Sequence, residues 1–339
     1  MKGFYKINFR ILNRYQYDNI RARRVSISIF YILCVRDMRV RSDKARYKLK
    51  VKSVIPLRAL HKCVIIGRRR NAMEFFDIPL TRFAGTIADV SGVRAPEYCP
   101  KERVEEIKTL VRDTTGKDTV DKVVIYNPDA LGAWYVDKYA ETFKPVTSVC
   151  PLRVNYLTSY PPKTPVCFGT MFTGATPDQH GIHHYDKHLL KIESLFDVWA
   201  EAGKKVAMVS VAGQSIPILF AERDIDYYLY ATDGAVTAKA VELIESGKYD
   251  VVEVYTMEYD TVMHMTHPQS FFAKRAARHH VESFTAIYDA VKRSYAGQNT
   301  LLTFSPDHGV HREWYLLGNH GKNIPKDMNL SHFYTVVKG

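Results

Sequence analysis

From residue 73 onward the apolar positions follow two alternating rhythms. In residues 101–112, KERVEEIKTLVR, Val104, Ile107 and Val111 fall three to four apart, which predicts an amphipathic helix with Pro100 just before it. Residues 122–126, KVVIY, are a short continuous apolar run of the kind that fills a parallel strand buried on both faces. The alternation continues with a helix over 192–202 closed by Gly203 and a strand over 205–210. A helix over 236–246 closed by Gly247, a strand over 249–255, a long helix over 271–295 and a strand over 300–304 complete it. Strands alternating with helices predict an α/β domain with a mainly parallel sheet. There is no internal repeat and no low-complexity linker.

Composition adds limits. A chain that is 46% hydrophobic and 25% charged is of ordinary globular type. No run approaches the roughly 18 consecutive apolar residues needed to span a bilayer, so no membrane span is expected. The five cysteines (Cys34, Cys63, Cys99, Cys150 and Cys167) are scattered, with no C-x-x-C pair. That excludes a dense disulfide framework and fits a reducing, cytoplasmic setting.

Charge divides the chain in two. Residues 1–72 hold 20 of the 48 Lys/Arg and three of the 36 Asp/Glu, a net of +17; the rest holds 28 and 33, a net of −5. The first glutamate is Glu74. Residues 1–72 are therefore read as a basic extension, poorly structured or upstream of a genuine start at Met73, with residues 73–339 as a separate domain of enzyme-like composition. An arm that binds nucleic acid or anionic lipid is the alternative for the extension. A secretory signal fits poorly, because Arg36, Asp37 and Arg39 directly follow the apolar run 25–35.

In a parallel α/β sheet the site lies beyond the carboxyl ends of the strands. Three polar clusters stand there. Asn127-Pro128-Asp129 follows the first predicted strand, Met257 to His264 with Asp260 follows the third, and Ser305-Pro306-Asp307-His308-Gly309 follows the fourth. His320 stands further on in Gly318-Asn319-His320-Gly321. A single aspartate after a strand is most often a helix cap, and a lone histidine is most often inert. An ordered set at three strand ends is a different matter. Carboxylates and imidazoles together suit zinc or a similar divalent ion. On a helix, Asp260 and His264 would face the same side.

One more segment narrows the class. Residues 158–182, TSYPPKTPVCFGTMFTGATPDQHGI, describe a turn into a helix N-terminus with Thr164 at its mouth. Backbone N–H groups at such an end hold anions, and metal coordination can activate a hydroxyl nucleophile.

With these motifs, the sequence from Phe75 onward resembles the alkaline phosphatase superfamily, in particular its nucleotide pyrophosphatase/phosphodiesterase-like branch. The resemblance implies an α/β/α sandwich and two divalent metal ions, zinc or manganese. It also implies phosphoryl transfer through a covalent Thr164 intermediate. It assigns Asp129, Thr164, Asp307 and His308 to one metal site, and Asp260, His264 and His320 to the other, with His311 as a nearby competitor for His320. The segment PKDMNLSHFY resembles the family's ending. His183-His184-Tyr185 occupies the stretch where family members often carry a phosphate-binding asparagine, and Lys163 is the substitute cation expected here. Cys150-Pro151-Leu152-Arg153 lacks the sulfatase spacing. The expected substrate is a small phosphodiester or pyrophosphate of nucleotide type. A phosphomonoesterase or phosphomutase on the same scaffold is the alternative. A nucleic-acid-binding protein led by the basic arm is the alternative from another class.

Overall fold

The computed structural model describes residues 73–314 and 317–339; the segment 1–72, with the readings placed on it, lies outside the described residues. The strands are β1 (Ile78–Pro79), β2 (Lys122–Pro128), β3 (Leu152–Leu157), β4 (Val206–Val211), β5 (Asp226–Tyr230), β6 (Val251–Thr256), β7 (Thr300–Phe304), β8 (His311–Arg312), β9 (Gly318–Asn319) and β10 (Asn329–Val337). Eight of them form one sheet in the order β1-β3-β10-β7-β2-β6-β4-β5, and β8 pairs with β9 in a separate ribbon. Within the eight-stranded sheet the pairings are parallel except at β10, which runs antiparallel to both β3 and β7; the β8–β9 ribbon is antiparallel.

Side chains alternate across the sheet and build one apolar core on each face. Val123, Ile125, Val206, Met208 and Leu301 point to one side. There they meet α1 (Arg82–Val90), α2 (Glu105–Thr115), α5 (Thr164–Thr173), α7 (Leu195–Glu201) and α8 (Ser215–Leu219). Val124, Ala207, Val209, Val252 and Leu302 point to the other. They meet α3 (Ala133–Lys138), α4 (Ala140–Val149), α9 (Asp233–Glu245), α10 (Glu258–Met265) and α11 (Phe271–Ser294). Two short helices, α6 (Pro177–His180) and α12 (Pro325–Met328), complete the chain. The result is the expected α/β/α sandwich.

The helix expected over 101–112 begins later, at Glu105. Val104 is extended (φ −92°, ψ 95°), and its N–H is donated to Thr86 Oγ1 at 3.0 Å. The stretch 101–104 thus docks α2 onto α1 rather than starting a helical turn.

Helix α5 is buried along its whole length. Lys163 before it is extended (φ −133°, ψ 140°), Pro165 sits in the first turn, and Gly174 ends it in the left-handed region at φ 72°. A Cβ on Gly174 would also stand 2.8 Å from Cys99 Cα, so the position is closed to other residues twice over.

Candidate metal centre

Parallel strands deliver their carboxyl ends to one edge. Asp129 follows β2, Asp260 lies on α10 just after β6, Asp307 follows β7, and Thr164 opens α5 after β3. His320 arrives by another route. Because β10 is antiparallel, its first residue Asn329 pairs with Leu157, the last of β3. The chain must therefore return to this edge before β10 begins, and His320 lies on that return.

The side chains converge. Thr164 Oγ1 is 3.2 Å from His308 Nε2. The same nitrogen is 3.3 Å from Asp129 Oδ1 and 3.5 Å from Asp307 Oδ2. Asp260 Oδ1 is 3.4 Å from His264 Nε2 and 3.7 Å from His320 Nε2. The His308 and His320 rings stack with centroids 4.0 Å apart. Asp260 stands between the two sets: it shares a possible ion site with His264 and His320, and another with Asp129 and His308. The structure thus brings together Asp129, Thr164, Asp260, His264, Asp307, His308 and His320.

Backbone contacts fix how the donors point. His308 Nδ1 faces the Gly309 carbonyl at 3.1 Å, and His320 Nδ1 faces the Pro162 carbonyl at 2.8 Å. A proton on each Nδ1 leaves Nε2 as a lone pair aimed into the cluster. Asp307 Oδ1 accepts from the Ala130 N–H at 3.2 Å, and Tyr255 donates its hydroxyl to Asp129 Oδ2. One oxygen of each aspartate remains: Asp129 Oδ1, Asp260 Oδ1 and Asp307 Oδ2 are buried without a hydrogen-bond partner.

Three such oxygens in one place are costly unless a cation meets them. The electrostatics carry the strain. Burial first, then the charges of Asp307 and Asp260, raises the Asp129 carboxyl well above its ordinary range. Burial and the charge of Asp307 raise Asp260, against the nearby ammonium of Lys163. Burial pushes His308 down to about 3 and holds His320 well below its ordinary value, so both imidazoles are neutral donors near neutral pH. Oxygen and imidazole donors with free lone pairs fit divalent zinc or manganese.

Lys163 borders the cluster. A Cβ on Gly321, the residue after His320, would stand 3.1 Å from its Nζ. The competitor His311 is engaged elsewhere: Nδ1 lies 2.8 Å from Asp327 Oδ1, and Nε2 3.0 Å from Glu313 Oε1. His280 is a core residue held by Tyr126 and Thr256. His183, His184 and His188 are exposed. Tyr255 is a member of the site that sequence patterns do not reveal, since a tyrosine in an apolar strand reads as core.

No family model matches the chain, and no curated protein matches its sequence. Solved structures do match. Murine ectonucleotide pyrophosphatase/phosphodiesterase 5 superposes with a TM-score of 0.52 at 14% identity, over 63% of this chain and 88% of its own. An inactive threonine-to-alanine variant of that murine protein, in complex with AMP, gives a TM-score of 0.53 at 13% identity over the same shares. Among the described residues, no helix is long and apolar enough to cross a membrane. Identities this low speak for the architecture, and the architecture of this chain is the alkaline phosphatase-like α/β fold.

Proposed function

We propose that residues 73–339 form a two-metal hydrolase that cleaves phosphodiester or pyrophosphate bonds of small, nucleotide-like substrates, with Thr164 as nucleophile. The observation that carries this reading is the trio of buried aspartate oxygens without partners, gathered around three neutral imidazoles and one hydroxyl. Asp129, Thr164, Asp307 and His308 would hold one ion, and Asp260, His264 and His320 the other. When bound, the ions supply Lewis-acid polarisation of the phosphoryl oxygens and lower the pKa of a coordinated hydroxyl.

The chain's own groups do the rest. Thr164 sits at the first position of α5, where backbone N–H groups face an incoming anion. Its Oγ1 attacks phosphorus, the alcohol or nucleotide leaves, and a phosphothreonine ester remains until water displaces it. Lys163 adds positive charge beside His320 to hold the substrate's non-bridging oxygens. The murine neighbour that binds AMP and is inactive as a threonine-to-alanine variant supports both the nucleophile and the nucleotide-like substrate.

The test is hydrolysis of a chromogenic phosphodiester beside the matching monoester, with metal-loaded protein. Diester turnover should be the faster. It should vanish in Thr164→Ala with metal content retained, and vanish together with metal in Asp260→Ala. Wild-type turnover by Thr164→Ala would overturn the covalent route. Preference for the monoester would make the protein a phosphomonoesterase.

A further inference from the structure

Ten large apolar side chains stand exposed among the described residues, and half of them belong to two segments beside the candidate metal centre. Met265 (67% exposed) directly follows His264, and Phe271 (75%) and Phe272 (61%) open α11. Trp314 (89%) and Leu317 (42%) lie on the β8–β9 side. The segments adjoin: a Cβ on Gly318 would stand 2.5 Å from the Met263 carbonyl oxygen. Thr266 Oγ1 and Ser270 Oγ, 2.9 Å apart, tie the loop between α10 and α11. The two phenylalanine rings sit edge to face, 5.6 Å apart.

Cations without a carboxylate partner predominate around this apolar surface: Glu313, beside Trp314, is held by His311 and Lys322, and Glu258 by His279, while Arg278 shares a groove with Glu141, Glu282 and Asp289. Residues 261–281 contain no Asp or Glu, while Lys274, Arg275 and Arg278 are all exposed. Arg312, on β8, is exposed as well and near enough to act electrostatically on His267. None of these four cations is in an ion pair with a described residue.

Exposed Phe and Met beside Lys and Arg that form no ion pair with a described carboxylate match an interface that is apolar below and anionic above. A second copy of this surface would bring like charges together. So would the basic segment 1–72, with its net of +17. We propose that this rim is a docking surface for an anionic lipid bilayer. Met265, Phe271 and Phe272 enter the boundary between headgroups and acyl chains, and the four cations meet lipid phosphates. Docking sets the metal centre, one residue from Met265, at headgroup level. This does not depend on the hydrolase reading.

The experiment uses the full chain with vesicles of phosphatidylcholine and phosphatidylserine, against phosphatidylcholine alone. Because residues 1–72 are themselves basic, sedimentation is paired with a local probe: quenching of tryptophan emission by brominated acyl chains. Of the three tryptophans, Trp199 is fully buried and Trp134 partly, so quenching reports on Trp314. The expected result is binding to the anionic vesicles with quenching that disappears in Trp314→Phe. Phe271→Ser/Phe272→Ser should lose most of the quenching at unchanged circular dichroism. Anionic-vesicle binding without quenching, or with quenching indifferent to the double substitution, would overturn the proposal. So would absence of vesicle binding, including the case in which polyglutamate binds instead and marks the surface as one for acidic protein.

Discussion

Tyr255 donates its hydroxyl to Asp129 Oδ2, while the other oxygen of that carboxylate, Oδ1, stands 3.3 Å from His308 Nε2 with no hydrogen-bond partner. The register of β2 on β6, which pairs Asn127 with Tyr255, puts the phenol within reach of the residue just past the end of β2. One oxygen is pinned so that the other is presented.

Tyr255→Phe removes the pin and keeps the ring, which packs edge-on against Phe168 at 5.3 Å. Loss of such an outer partner should weaken metal affinity by about 10–100-fold. Competition with a chromophoric chelator measures this directly. Wild-type affinity in the variant would show that Tyr255 merely fills space.

The loops carrying Asp129 and His308 meet backbone to backbone. A Cβ on Gly309 would strike the Lys326 carbonyl oxygen and stand 3.0 Å from Gly132 Cα. One on Gly132 would be 2.8 Å from Gly309 Cα. Gly309→Ala must push the two loops apart, at a cost of about 1–3 kcal/mol. Urea denaturation should show that loss, and metal content should fall with it. Undiminished stability would mean that the loops shift freely.

How much of this was legible follows from what each strand is buried against. β2, β4, β6 and β7 are buried throughout, so their sequences are continuous apolar runs, and the expected strands over 122–126, 205–210, 249–255 and 300–304 match them closely. Asp129, Asp260 and Asp307 then followed from position alone. Edge strand β5 was missed because DYYLY is half exposed and short of apolar contrast. β10 was hidden by its own polar core residues. His332 donates its Nε2–H to the Pro306 carbonyl, 2.7 Å away, and Ser331 lies against Arg153 and Asn155, so polarity inside this strand is satisfied rather than exposed. Without β10 the approach of His320 could be named only through resemblance, since pairing of β10 with β3 is non-local.

The clasp on that return is Asp327. Its carboxylate faces His311 Nδ1 at 2.8 Å and accepts from the Lys322 N–H at 3.0 Å, so it ties the start of the β8–β9 ribbon to the residue two past His320. Asp327→Asn should loosen the ribbon and with it only the ion set that needs His320. The number of ions retained after dialysis should then fall from two toward one per chain, while the Asp129 set keeps its ion. Retention of both at wild-type affinity would show that the ribbon holds itself.

A last prediction concerns pH. Glu253 is fully buried in the middle of the sheet, where Asn127 Nδ2 donates to Oε1 at 2.8 Å and Oε2 has no partner. Burial pushes its carboxyl up to about 8, against the opposing effect of the Asn127 hydrogen bond. A glutamate in the unfolded chain titrates near 4.3, about the usual value. Between those values the folded chain keeps a proton that the unfolded chain has released. The contribution of this group to stability is therefore full below about pH 4 and declines as pH rises toward about 8. Buried histidines such as His308 and His332, both pushed down to about 3, act in the opposite sense over the acid part of that window. Glu253→Gln isolates the glutamate, because its amide stays neutral and still offers an oxygen to Asn127. The variant should gain on the wild type by about 2–4 kcal/mol between about pH 5 and pH 8, read from urea midpoints. Parallel pH profiles for the two proteins would mean that Glu253 ionises inside the fold at its ordinary pH.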